Sequence, residues 1–243
     1  MPDTEGVIQF GYELESATEP PAGAPVLQTL LAWRAVLRRL GLLGQTPGRY
    51  GGLGYGNLSA RDPERPGEFV ITASQTGGIR DLDASGLCRI LNYDLAGFRV
   101  SAAGTRPPSS ESLSHAMIYQ ADPGVWWVFH VHSPEIWRRV AALAIPAIGA
   151  DVAYGSPAMA SAVAVVLATN SERPLTFVTL GHEDGVFACG RTAGETGTLL
   201  VDLLARSLAA GGGSLASHRE GGCGECETGD RMQADLCHGS PGS

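Results

Sequence analysis

Two histidines one residue apart, His130 and His132, close an apolar run, and a third, His182, follows another such run inside Gly181-His182-Glu183-Asp184-Gly185. On a strand, residues i and i+2 point to the same face, so His130 and His132 would project side by side, as a metal ion requires. By itself an H-x-H pair is equally well read as polar residues ending a strand. The third histidine, at the end of a second strand beside a glycine, changes the weight of that signal. Three imidazoles suit zinc or another divalent transition metal, which in catalytic sites takes three protein ligands and leaves a position open.

The elements that must hold these groups can be read from the same pattern. Apolar residues recur every three or four positions over residues 26–43 (Leu27, Leu30, Leu31, Trp33, Val36, Leu37, Leu40), predicting an amphipathic helix with Arg34, Arg38 and Arg39 toward water and an end at Gly44 and Pro47. Further helices are expected at 83–91, at 111–120 with Ser109 or Ser110 as cap, from Ser133-Pro134 to about 143, at 157–169 and at 192–209. Strands are expected at 69–72, 125–131, 175–180 and 185–189, where short β-branched and aromatic runs occur. This alternation predicts an α/β domain with a central β-sheet flanked by helices. It would occupy residues 26–210. Residues 1–25 would be an irregular arm, with a short strand within 6–12, and residues 211–243 a Gly-rich disordered tail.

Several short motifs, taken in order, resemble those of the class II aldolase/adducin family. They are Gly56-Asn57-Leu58-Ser59-Ala60-Arg61, the Thr76-Gly77 turn, Pro108-Ser109-Ser110-Glu111, Tyr119, Pro123, His130-Val131-His132-Ser133, Tyr154-Gly155-Ser156-Pro157 and His182 ahead of Gly185-Val186-Phe187-Ala188-Cys189-Gly190. The resemblance covers roughly residues 26–209 and implies a three-layer domain. It also implies a lyase that cleaves a phosphorylated ketose reversibly, through an enediolate stabilised by the metal. Zinc would be held by His130, His132 and His182, and Glu111 would be the catalytic carboxylate. Without the resemblance, a glutamate early in a helix is explained by the macrodipole. Asn57, Thr76, Gly77, Ser109 and Ser110 stand where family members bind the substrate phosphate, although such residues also make ordinary turns. His115, one helical turn after Glu111, would support it by a hydrogen bond.

Two departures from the family pattern bear on function. Two residues separate His182 from Gly185, which leaves Asp184 as the alternative third ligand. The chain is also shortened between Ile148 and Tyr154, where a proton-donating tyrosine would lie, and Tyr154 is the available substitute. The same site would serve a pentulose-phosphate 4-epimerase or a sugar-phosphate dehydratase or decarboxylase, and adducin-like members of the family are non-catalytic binding proteins. The family also implies a homo-oligomer, a ring-like tetramer with sites at subunit interfaces.

Composition narrows the classes further. The net charge is -8 with no basic run, which disfavours nucleic acid as a partner. No run of about 20 apolar residues is present to span a membrane. No basic, then apolar, leader opens the chain, so a cytoplasmic location is expected. Five cysteines in a reducing compartment argue against a disulfide framework. Cys223, Cys226, Cys237 and His238 are the right types for a small zinc site, but their Gly-rich surroundings favour free thiols on a tail.

Overall fold

A computed structural model describes residues 7–17, 19–152 and 156–211. Tyr154 and the tail cysteines lie outside the described residues. In chain order the elements are β1 (Gly11–Glu15), α1 (Ala24–Arg39), β2 (Gly44–Gln45), β3 (Gly54–Tyr55), β4 (Asn57–Arg61), β5 (Phe69–Thr72), β6 (Leu87–Asp94), β7 (Arg99–Gly104), α2 (Ser112–Ala121), β8 (Trp127–His132), α3 (Pro134–Trp137), β9 (Ala147–Ile148), α4 (Pro157–Thr169), β10 (Leu175–Thr179), β11 (Gly185–Gly190) and α5 (Ala193–Gly211).

Among the described residues nine strands form one sheet in the order β1-β7-β6-β5-β4-β8-β11-β10-β9. Only the two outermost pairings, β1 with β7 and β9 with β10, are parallel. Along β8 the side chains alternate. Phe129 and Val131 enter the core under α1 and α5, whereas Val128 enters the core under α2 and α4. The sheet therefore separates two apolar layers, and helices cover both faces, giving the expected three-layer α/β domain.

Local differences from the expected elements have physical causes. α1 ends at Arg39 rather than at Gly44. Gly41 takes a positive φ, and Leu42 N–H returns to the Leu37 carbonyl, a glycine-dependent helix stop. Arg34 does not face water: with Leu27, Leu30 and Leu37 it forms the buried stripe of the helix. Residues 83–91 are not a helix. A single 3-10 turn at Ala84–Gly86, with its Ser85 amide bonded to the Asp83 carboxylate, leads into β6, where the alternation Cys88-Arg89-Ile90 has the period of a strand. The helix expected from Ser133 stops after Trp137, and mostly i→i+3 bonds carry the chain on to Ala144 at positive φ. The irregular arm contributes β1 to the sheet edge, later in the sequence than the short strand expected there.

Candidate metal centre

His130 and His132 both point from β8 toward the face covered by α2. β11 lies antiparallel beside them, with Phe187 opposite His130 and Gly185 opposite His132. The Phe187 ring stacks on the His130 imidazole at 4.2 Å between centroids and so fixes its plane. His182 comes from the turn between β10 and β11. That turn is closed by His182 N–H on the Thr179 carbonyl and by Gly185 N–H on the His182 carbonyl. One ligand atom from each of the three histidines lies within 4.8 Å of the others, and all three residues are buried.

Glu111 completes the cluster from the start of α2. It is 1% exposed, and its Oε1 is 3.6 Å from His130 Nε2 and 3.5 Å from His182 Nδ1. His130 Nε2 and His132 Nε2 are 3.1 Å apart. Ligand nitrogens about 2.0–2.1 Å from a tetrahedral zinc ion would be separated by about 3.3 Å, close to the 3.1 Å between His130 and His132, with a ligand atom of His182 within 4.8 Å of both. A buried carboxylate among facing imidazole nitrogens is costly unless a cation or shared protons balance it. The donor set and spacing therefore fit a divalent transition metal held by His130, His132 and His182, with Glu111 beside it. Asp184 is turned elsewhere: its Oδ2 accepts from the Tyr50 hydroxyl at 2.8 Å and lies 3.7 Å from Arg49 Nη2.

Asn57, Thr76, Gly77, Ser109 and Ser110 line one cavity, together with Gly54, Gly56 and Gln75. The cavity adjoins the histidine cluster. Asn57 on β4 is the register partner of His130, and Ser109-Ser110 run directly into Glu111. Among the described residues the buried Asn57 side-chain oxygen has no hydrogen-bond partner, and an anion in the cavity would be met by the Nδ2 donors of the same amide. The Thr76 hydroxyl, by contrast, donates to the Ala73 carbonyl and shapes the turn. A Cβ on Gly77 would collide with the Gly44 carbonyl oxygen, so only glycine lets β2 and this turn approach so closely.

His115 does not reach Glu111 through its side chain. Its Nδ1 is 2.6 Å from Ser59 Oγ, which is 2.7 Å from the Tyr119 hydroxyl, and this chain of polar groups lies under α2. Burial lowers the His115 pKa to about 3. Residues that the sequence reading missed gather over His132. The Tyr50 ring is edge-on to it at 4.7 Å, Tyr55 is near, and the Arg49 guanidinium lies over both tyrosine rings. The only local signal was an aromatic pair in the Gly-rich run 48–56.

The family model of the class II aldolase and adducin N-terminal domain matches residues 48–205. Among solved structures, L-fuculose-1-phosphate aldolase from Thermus thermophilus superposes with a TM-score of 0.58 at 19% identity, covering 82% of this chain and 100% of that one. YgbL from Escherichia coli, described as an aldolase/epimerase/decarboxylase, gives 0.57 at 17%, covering 80% and 91%. A sugar-phosphate aldolase from Thermotoga maritima gives 0.55 at 18%, covering 77% and 96%. At such identities the likeness to these structures is one of fold.

Proposed function

Because the chain belongs to the class II aldolase and adducin N-terminal domain family, we propose that it is a metal-dependent carbon–carbon lyase that cleaves a phosphorylated ketose by a reversible aldol reaction. The cluster of His130, His132, His182 and Glu111 is the observation that carries this function. The three histidines hold the cation, and their nitrogens suit zinc or another divalent transition metal. When bound, it supplies a Lewis acid for the substrate's carbonyl oxygen and for the negative charge that develops as the bond breaks.

The chain's own residues do the rest. Glu111 accepts the proton of the hydroxyl whose carbon becomes the aldehyde and returns it in the synthetic direction. Its burial keeps bulk water from competing for that proton. The phosphate sits in the cavity of Asn57, Thr76, Gly77, Ser109 and Ser110, where the Asn57 amide, the Gly77 N–H and the serine hydroxyls face an anion at the start of α2. Because Asn57 pairs with His130 and Ser110 precedes Glu111, phosphate and reacting carbonyl must be close in the substrate. A ketose 1-phosphate meets that demand.

Zinc content and product analysis test the assignment together. The wild-type chain is expected to carry near one zinc per chain and to release an aldehyde and dihydroxyacetone phosphate from a ketose 1-phosphate. Glu111→Gln should keep the metal and lose turnover by about 100-fold or more. Full activity in that variant would sink the role of Glu111. A 4-epimer as sole product would move the chain to the epimerases, and a folded chain that takes up no zinc would move it to the non-catalytic, adducin-like members.

A further inference from the structure

We propose that Arg34, which lines no part of the anion cavity, is the positioning residue that aims the cavity's backbone donor and thereby sets its affinity for phosphate; this rests on the phosphate role proposed above. Arg34 is 2% exposed and lies on the buried stripe of α1. Its Nη2 donates to the Thr76 carbonyl at 2.6 Å and to the Ile79 carbonyl at 2.7 Å. One turn later on α1, Arg38 reaches the same loop at longer range, with Nε 3.4 Å from the Gly77 carbonyl and Nη2 3.5 Å from that of Gly78.

Peptide planarity converts these bonds into an orientation. In a trans peptide the carbonyl and the following N–H point in opposite directions. With the Thr76 carbonyl held toward α1, the Gly77 N–H must point away from α1, and Gly77 lines the cavity. The Arg38 contact to the Gly77 carbonyl acts on the Gly78 N–H in the same way. Since the Thr76 hydroxyl hydrogen is spent on the Ala73 carbonyl, the amide is the donor this wall has to offer. The peptide dipoles then lie with their negative ends on guanidinium groups and their positive ends away from them. That arrangement favours an anion on a chain whose net charge is -8.

The Thr76 carbonyl also accepts from the Ile79 N–H at 3.0 Å, which closes the turn. The guanidinium adds a charged donor to that carbonyl and ties the turn to α1, which methionine would not do. Losing it leaves the Ile79 carbonyl short of a donor, so melting temperature is read beside phosphate affinity. Burial and the neighbouring Arg38 pull the Arg34 pKa down to about 10, which leaves it charged at neutral pH.

Inorganic phosphate is the probe, titrated calorimetrically into the zinc-loaded full chain and into Arg34→Met, Arg34→Lys and Arg38→Gln, with zinc content and melting temperature recorded for each. Arg34→Met is expected to weaken phosphate binding by about tenfold, the scale of one charge-assisted hydrogen bond. Its zinc content should be unchanged, and Arg34→Lys should recover part of the loss. Arg38→Gln should weaken binding by a smaller factor. Wild-type affinity in both Arg34 variants would overturn the proposal while leaving the phosphate cavity intact. If Arg34→Met fails to fold, Arg34→Lys and Arg38→Gln decide the matter: wild-type affinity in both overturns it. Absence of phosphate binding by the wild type, or binding that Ser110→Ala and Asn57→Ala leave unchanged, would remove the phosphate cavity itself and the proposal with it.

Discussion

The Tyr50 hydroxyl couples the third histidine's turn to the chain 134 residues earlier. Asp184, two residues after His182, sits at φ +61, a conformation that costs a non-glycine residue about 1–2 kcal/mol. Its carboxylate is held by Tyr50 and approached by Arg49. Burial and the adjacent Asp184 carboxylate raise the Tyr50 pKa, so the phenol remains a donor at neutral pH. Tyr50→Phe should therefore cost about 1 kcal/mol, allowing for its partial exposure, and should speed zinc loss to a chromogenic chelator several-fold. An unchanged rate of zinc loss would separate Tyr50 from the metal site. His130→Ala should lower zinc from near one per chain to near none by elemental analysis, and retention of zinc would place the metal elsewhere. The histidine pair was legible because H-x-H has the period of a strand, whereas Glu111 stood out only through the family resemblance, a glutamate at a helix start being otherwise explained by the macrodipole. Tyr50 and Arg49 were not, and Asp184 was legible only as an alternative ligand, because the three meet only after folding and leave no local period. Arg34 stood in plain view on the apolar stripe of α1, four residues after Leu30 and three before Leu37, and its charge hid what the spacing showed.

At the scale of elements, α2 is joined to the sheet by polar groups as well as apolar ones. Ser59 on β4 links His115 and Tyr119, and His115 Nε2 has no hydrogen-bond partner among the described residues. His115 has a folded pKa of about 3, below its ordinary value of 6.5. The folded state thus resists a proton that the unfolded state accepts. Stability is full above about pH 6.5 and falls toward pH 3 with a slope of about 1.4 kcal/mol per pH unit from this group. Urea denaturation across that range should show a shallower slope in His115→Gln, and equal slopes would mean that His115 takes up its proton when folded. On the opposite face α1 and α5 pack closely, since a Cβ on Gly197 would collide with the Trp33 ring. Gly197→Ala should cost about 1–3 kcal/mol by overpacking, despite alanine's better helix propensity. A thermal melt at or above that of the wild type would contradict this packing. α1 was readable from its three-to-four spacing, α2 from the serines that precede it and α4 from its alanines, as were β5, β8, β10 and β11 from their apolar runs. β1 and β7 were not, because β1 is exposed along its length and β7 alternates only weakly.

For the whole molecule, a ligand that binds only the folded state adds to its stability. Zinc at a hundredfold excess over its dissociation constant would contribute about 2.7 kcal/mol, which a chelator should remove as a lower melting temperature. Equal melts with and without chelator would mean that the fold holds no tightly bound ion. Among the described residues no helix is long and apolar enough to cross a membrane, and Cys88 and Cys189 are free and buried. The strand order gives β8 hydrogen-bonded neighbours on both sides, β4 and β11, near the middle of nine strands, whereas His182 rides on a five-residue turn between β10 and β11. Amide hydrogen exchange should divide the cluster accordingly. The backbone amides of residues 128–131 should persist to the limit set by global unfolding, while those of 180–184 should trade their protons through small local openings. Two of the three imidazoles would then outlast the third whenever the native state breathes, and the ion's exit route would be written in the protection pattern before any ion leaves.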